Sequence, residues 1–225
     1  MNILDLSGYM FTGKAAVHDF ISEIDGFETP GNRVEFDLLR VKDGLADLES
    51  AVMSWSPIRA DAAARRFLAV AERMSGGHTL VTRLTHPGFG YEARYPNFLE
   101  KSKKFIDDLT VESWNMYWPY QLIEMSRLET IWFKICRKFF NRQENIKYRL
   151  ISPEYFYENI RFYLQNILAG SLSNINNHTL VLNNSFEPFD PNRFLSYFNS
   201  SVPTFFRGER AVEAQIPNVC RGWLV

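Results

Sequence analysis

The stretch Gly8-Tyr9-Met10-Phe11-Thr12-Gly13-Lys14-Ala15 decides the fold. It follows the apolar segment Asn2-Ile3-Leu4-Asp5-Leu6-Ser7 and opens an amphipathic segment from Ala15 to Ile24, so it reads as a strand, a glycine-bounded loop and a helix that starts on a lysine. That arrangement builds an anion site: backbone N–H groups at the helix start point at the ligand, the helix dipole favours negative charge, and the lysine adds a full positive charge. In the usual phosphate-cradling pattern, GxxxxGK is followed by Ser or Thr, whose hydroxyl ligates magnesium. Here that position is Ala15, so a phosphate can be held while the magnesium ligand is missing. Val17, Phe20, Ile21 and Ile24 fall at i, i+3, i+4 and i+7, and are expected to pack on a sheet. The plainer reading of the same residues is a glycine-capped turn.

With 225 residues the chain suffices for one α/β domain, spanning 1–225, with an elaboration. A net charge of −1 argues against a general nucleic-acid binder, so any anion site must be local. Cys136 and Cys220 are far apart and show no metal-ligand spacing, which points to a reducing compartment and no bound metal. The first residues have no basic segment and are broken by Asp5, Ser7 and Gly8, unlike a signal peptide. Without a run of eighteen apolar residues no transmembrane segment is expected, and the protein is expected to be cytoplasmic. The nineteen Phe are expected to fill a helical core.

Beyond the first helix, Asp25-Gly26 marks its end and Phe27 to Phe36 reads as an extended segment interrupted at Pro30-Gly31. A short helix is expected from Gly44, closed by Trp55-Ser56-Pro57, and a longer one over Ala60 to Met74, stopped by Gly76-Gly77. Leu99 to Leu109 and Glu112 to Phe140 read as helices, the second kinked at Pro119. Ser152-Pro153-Glu154 is a helix start, followed by an inner side of Phe156, Ile160, Tyr163, Leu164 and Ile167 and an end at Gly170. Thr179-Leu180-Val181-Leu182 reads as a buried parallel strand whose tip, Asn183-Asn184, lies where ligands sit in open α/β sheets. Pro191 to Phe198 is expected to be a short helix. These elements predict a three-layer α/β fold with a short parallel sheet and a large helical elaboration from about residue 54 to 170.

Together with the loop, the segments Phe36-Asp37-Leu38-Leu39-Arg40, Asp43-Gly44-Leu45-Ala46-Asp47-Leu48-Glu49 and Val181-Leu182-Asn183-Asn184-Ser185-Phe186-Glu187-Pro188-Phe189 carry a resemblance. The chain resembles bacterial sulfotransferase-like proteins of the P-loop superfamily from residue 1 to about residue 200. The resemblance implies phosphoadenosine phosphosulfate as donor, without a metal, and a hydroxyl acceptor, on a carbohydrate for example. Gly8, Met10, Phe11, Thr12, Gly13, Lys14, Ala15 and Ala16 would then hold the phosphosulfate, and Lys14 would stabilise charge on the leaving phosphate. Ala15 counts against a P-loop kinase more than against a sulfotransferase, because sulfuryl transfer in this family needs no magnesium. Residues 202–225 depart from the family: Pro203 stands where a further strand should start, and no 3′-phosphate segment maps onto the tail, although Arg207 and Arg210 are basic. The tail is therefore expected to be altered relative to the family, which leaves a non-catalytic anion- or partner-binding protein as the alternative.

Arg33 and Arg40 are candidates to contact the donor or an anionic acceptor, against surface ion pairing as the plainer role. Glu35 and Asp37 are candidate bases for an acceptor hydroxyl, against a solvated charge or helix cap. Asn183, Glu187 and Asp190 stand beside the tip of the last strand. His18 is expected to be a surface or packing residue, His78 and His86 flank a loop, and His178 precedes the last strand at its far end. Lys134, Arg137, Lys138, Arg142, Lys147 and Arg149, with Glu144 as the one acid among them, form a basic stretch suited to an acidic glycan, lipid headgroup or nucleotide, or simply a solvated helix end.

Overall fold

Two apolar runs far apart in sequence pair at the centre of the molecule. The computed structural model describes residues 2–7, 14–30, 35–76, 90–117, 121–140, 146–171, 179–187, 190, 193 and 195–198. In it β1 (Asn2–Leu6) lies parallel to β5 (Thr179–Asn183), with Leu4 opposite Val181 and Leu6 opposite Asn183. On its other edge β5 pairs in parallel with β2 (Phe27–Glu28), giving the order β1-β5-β2. A strand flanked on both edges and covered on both faces should be continuously apolar, and Leu180, Val181 and Leu182 are fully buried.

Alternation along the strands sends side chains to two layers. Leu4, Leu6 and Val181 pack with Phe27 and with Ile21 of α1 (Lys14–Ser22) on one face. Ile3, Leu180 and Leu182 join the main core on the other. That core is built by α2 (Leu45–Met53), α3 (Pro57–Ser75), α4 (Tyr91–Arg94), α5 (Phe98–Leu109) and, further along the chain, a helix over Phe156–Ala169. The three-layer α/β arrangement is as expected. Phe105 stacks on Tyr163 with centroids 4.4 Å apart, and the Tyr163 hydroxyl meets Ser102 at 2.7 Å, so α5 and the Phe156–Ala169 helix are joined by both packing and a buried hydrogen bond.

Between α5 and that helix lies an excursion. It consists of β3 (Thr110–Met116), α6 (Gln121–Glu124), α7 (Arg127–Phe140) and β4 (Ile146–Ile151), after which Phe156–Ala169 is α8. The strands β3 and β4 form an antiparallel ribbon, tied to α3 where the Arg149 N–H donates to the buried Asp61 carboxylate at 2.9 Å.

Several expectations need correction. Residues 112–116 are a strand rather than part of a helix running to Phe140, because Trp114 finds a cross-strand partner in Tyr148, centroids 6.3 Å apart, that no local pattern discloses. Lys147 and Arg149 accordingly lie on β4 and not at a helix end. The inner side of α1 is His18 and Ile21, whereas Val17, Phe20 and Ile24 are exposed, since a three-stranded sheet covers only a narrow stripe of the helix. The extended segment after α1 is regular only at Phe27–Glu28, and Asp37–Leu39 is a 3₁₀ turn. The Ser152 hydroxyl does cap, but it accepts from Glu154 N at 3.2 Å in a turn before α8, which starts at Phe156. Other expectations hold: α2 starts after Gly44, α3 stops before Gly76, whose φ is 90°, and Phe156, Ile160, Tyr163, Leu164 and Ile167 are all buried. Much of the expected helix over 191–198 and all of the 202–225 tail lie outside the described residues.

Gly44 is required by close approach: a Cβ there would lie 2.5 Å from the Leu38 carbonyl oxygen and 2.7 Å from that of Val41. One turn later, Glu49 anchors the chain that follows β5. Its buried carboxylate accepts from the Tyr157 and Tyr197 hydroxyls, each at 2.5 Å, and from Arg193 Nε at 2.6 Å. Glu49→Ala would remove the acceptor that these three donors share and should cost roughly 3 kcal/mol, read as a lower midpoint in chemical denaturation. An unchanged midpoint would show that the 193–198 segment is held by other contacts.

Candidate functional site

The parallel pairing brings the carboxyl ends of β1 and β5 side by side, where open α/β sheets bind ligands. Ser7 and Asn184 follow these ends directly, and both are buried. Asp5 and Ser7, on the face toward the helical body, fasten the chain leaving β5: Ser185 N donates to Asp5 Oδ1 at 3.1 Å, and Phe186 N donates to Ser7 Oγ at 2.9 Å. Asn184 makes the turn in the left-handed region, φ 57°, which Asn tolerates better than most residues.

Among the described residues, two buried amide oxygens at this tip have no hydrogen-bond partner, Asn183 Oδ1 and Asn184 Oδ1. Buried polar atoms are normally satisfied, so such a group calls for donors from a ligand, from water or from neighbouring backbone. Burial also pushes Asp5 up from 3.8 to about 6, opposed by the donors of Ser7 and Ser185.

Beside the tip, Asn184 Nδ2 donates to the Glu35 carboxylate. Arg40 bridges Glu35, at 3.3 Å, and Asp37, at 2.8 Å. The Tyr91 hydroxyl accepts from Asp37 N at 2.8 Å and donates to the Glu35 carbonyl at 2.9 Å, which fixes the backbone between the two carboxylates. Burial holds Tyr91 far above its ordinary value, so it stays a phenol and a hydrogen-bond donor. A cavity of about 570 Å³ opens here; among the described residues it is lined by Glu35, Asp37, Val41, Lys42, Asp43, Val70, Arg73, Met74 and Tyr91. It offers carboxylates able to accept a proton and, in Lys42 and Arg73, cations able to attract an anionic group. A smaller cavity, about 240 Å³, lies under Trp55 at the α2–α3 corner and has no ionisable residue among those described as lining it.

Of the residues expected to bind, Asp37 and Arg40 come together with Glu35, and Asn183 and Asn184 lie one step away. The Asn183 carbonyl accepts from Phe36 N at 3.1 Å, which connects β5 to the Glu35–Asp37 segment. Glu187 is half-buried and its carbonyl accepts from Asp190 N at 3.1 Å. β1 ends at Leu6 and α1 begins at Lys14, with Ala16 exposed on its first turn. The loop residues Gly8, Met10, Phe11, Thr12 and Gly13 lie outside the described residues, as do Arg33, the side chains of Lys14 and Ala15, and His78, His86 and His178. His18 is buried on α1, a packing position. Sequence reasoning missed Asp5, Ser7, Ser185, Tyr91, Lys42 and Arg73. Only Asp5 had a local signal, a carboxylate inside an otherwise apolar strand.

Comparison of the chain with protein-family models, with curated proteins and with solved structures gives no match. Among the described residues no group of three or more His, Cys, Asp or Glu side chains is arranged to hold a metal ion.

Asp5 yields a pH prediction. Its folded-state value lies above the unfolded one, so its contribution to stability is fully present below about pH 4 and is lost as pH rises through about 6. Relative to Asp5→Asn, the wild type should gain stability on going from pH 7 to pH 4, by on the order of 3 kcal/mol. Parallel stability–pH curves for the two proteins would contradict the burial of this carboxylate.

Proposed function

We propose that the chain is a sulfotransferase-like protein that moves a sulfuryl group from phosphoadenosine phosphosulfate to a hydroxyl acceptor. The observation that carries this reading is the set of unpartnered buried acceptors at the carboxyl end of the parallel sheet, beside the strand-loop-helix connection from Leu6 to Lys14. On the sequence pattern of residues 8–14, Lys14 supplies positive potential for the phosphosulfate. The acceptor hydroxyl occupies the cavity beside Glu35 and Asp37. Its oxygen attacks sulfur as the bond from sulfur to the phosphate oxygen breaks, its proton passes to a carboxylate of the Glu35–Asp37 pair, and adenosine 3′,5′-bisphosphate leaves with its charge against Lys14.

One observation favours a second reading, a non-catalytic anion-binding protein: Arg40 already engages a carboxylate oxygen of both Glu35 and Asp37, so the pair is tied into an ion-pair network beside the cavity. A P-loop kinase is the third reading, and Ala15 weighs against it because that position normally ligates magnesium.

Titration calorimetry distinguishes them. The sulfotransferase reading predicts binding of adenosine 3′,5′-bisphosphate without metal, weakened at least about 10-fold in Lys14→Ala, the loss expected for one charge-assisted phosphate contact. ATP binding that requires magnesium would favour the kinase, and an affinity unchanged in Lys14→Ala would remove the loop from the site.

A further inference from the structure

The helix α7 has apolar side chains on two sides, and the fold uses only one. Phe133 is buried and lies parallel to the Tyr117 ring, centroids 6.4 Å apart at 13°. Arg137 covers the same ring at 5.5 Å and donates to its hydroxyl at 3.3 Å, so this side seats α7 on the chain that leaves β3. On the other side Leu128, Ile131, Trp132, Ile135 and Phe139 recur at i, i+3, i+4, i+7 and i+11, which makes one continuous stripe. All five are exposed, Leu128 at 79% and Phe139 at 73%.

Charge identifies what fits the stripe. The helix carries Arg127, Lys134, Arg137 and Lys138 against a single carboxylate, Glu129, although the chain as a whole is slightly acidic. Helical spacing puts Arg127, Lys134 and Lys138 along one flank of the stripe, and the Lys138 ammonium lies 5.9 Å from the Phe139 ring centre. Glu129 is occupied at the helix start, where it accepts from Ser126 N at 2.7 Å. A Trp- and Phe-bearing apolar stripe with a basic border is the pattern of a helix lying in a membrane interface. At fourteen residues it is too short to span a bilayer, and no helix among the described residues is long and apolar enough to do so.

We propose that α7 docks in the plane of a bilayer surface rich in anionic phospholipid, with the Leu128–Phe139 stripe among the outer acyl carbons and Arg127, Lys134 and Lys138 at the headgroup phosphates. A second copy of the chain fits less well, because antiparallel pairing of two such stripes about a two-fold axis sets the cation row against itself. An acidic protein would satisfy the cations but is not required by a stripe that projects from a convex helix.

Co-sedimentation of the full chain with phosphatidylcholine vesicles, with and without about 30% phosphatidylserine, tests this. The protein should pellet with the anionic vesicles, bind pure phosphatidylcholine at least about 10-fold more weakly, and lose binding as salt is raised. Trp132→Glu and the double substitution Lys134→Glu/Lys138→Glu should each abolish the effect, and since all three residues are exposed, an unchanged circular-dichroism spectrum is expected alongside. Absence of pelleting, equal pelleting with both vesicle types, or full binding by either variant would overturn the proposal. Lipid-independent dimerisation that Trp132→Glu removes, without vesicle binding, would assign the stripe to a second copy instead.

Discussion

The parallel pairing of β1 with β5 is the constraint on which the rest depends. It pairs residues 177 positions apart, Asn2 opposite Thr179, and the long stretch from β2 to β5 holds most of the other described elements. Parallel strands require a crossover, and here it has grown into the helical body that covers one face of the sheet. Its register also sets the chemistry. With Leu6 opposite Asn183, Ser7 and Asn184 emerge at the same level, next to the buried Asp5 and Asn183. A slip by one residue would turn Asp5 and Ser7 to the α1 side and expose the opposite set.

That end combines two properties seldom found together in a buried place. Asp5 and Ser7 use part of their capacity to fasten the chain after β5, while Asn183 Oδ1 and Asn184 Oδ1 remain without donors among the described residues. Leaving such atoms unpaired is costly, commonly about 1–3 kcal/mol each, which is a reason to look for what approaches them. The neighbouring cavity adds carboxylates held on Arg40 and cations at its rim. Acceptors on the sheet tip and cations at the cavity rim together suit a ligand with both hydroxyl and anionic groups.

How much of this was legible in the sequence depends on whether the cause was local. The strand β5 is readable because a buried parallel strand has to be apolar throughout, and α8 because its inner residues keep a helical period over fourteen residues. The strand β3 is not: its partner β4 lies beyond α6 and α7, and Glu112 to Met116 alone fit a helix as well as a ribbon. The side of α1 that meets the sheet depends on the width of the sheet, which no helix period encodes. At the site, Asn183 and the Glu35–Asp37–Arg40 group follow from strand-tip position and charge pattern. Tyr91 and Arg73 enter through tertiary packing of α4 and α3, and Asp5 carries only the oddity of a carboxylate among Ile3, Leu4 and Leu6.

The central claim is that the carboxyl end of the β1–β5 pair receives the ligand. Hydrogen–deuterium exchange with and without adenosine 3′,5′-bisphosphate tests it most directly. Slower exchange should be concentrated in peptides covering residues 2–22 and 179–187, with a smaller change over 35–42 next to the cavity. Protection elsewhere with none in these peptides, or no change at saturating nucleotide, would contradict it.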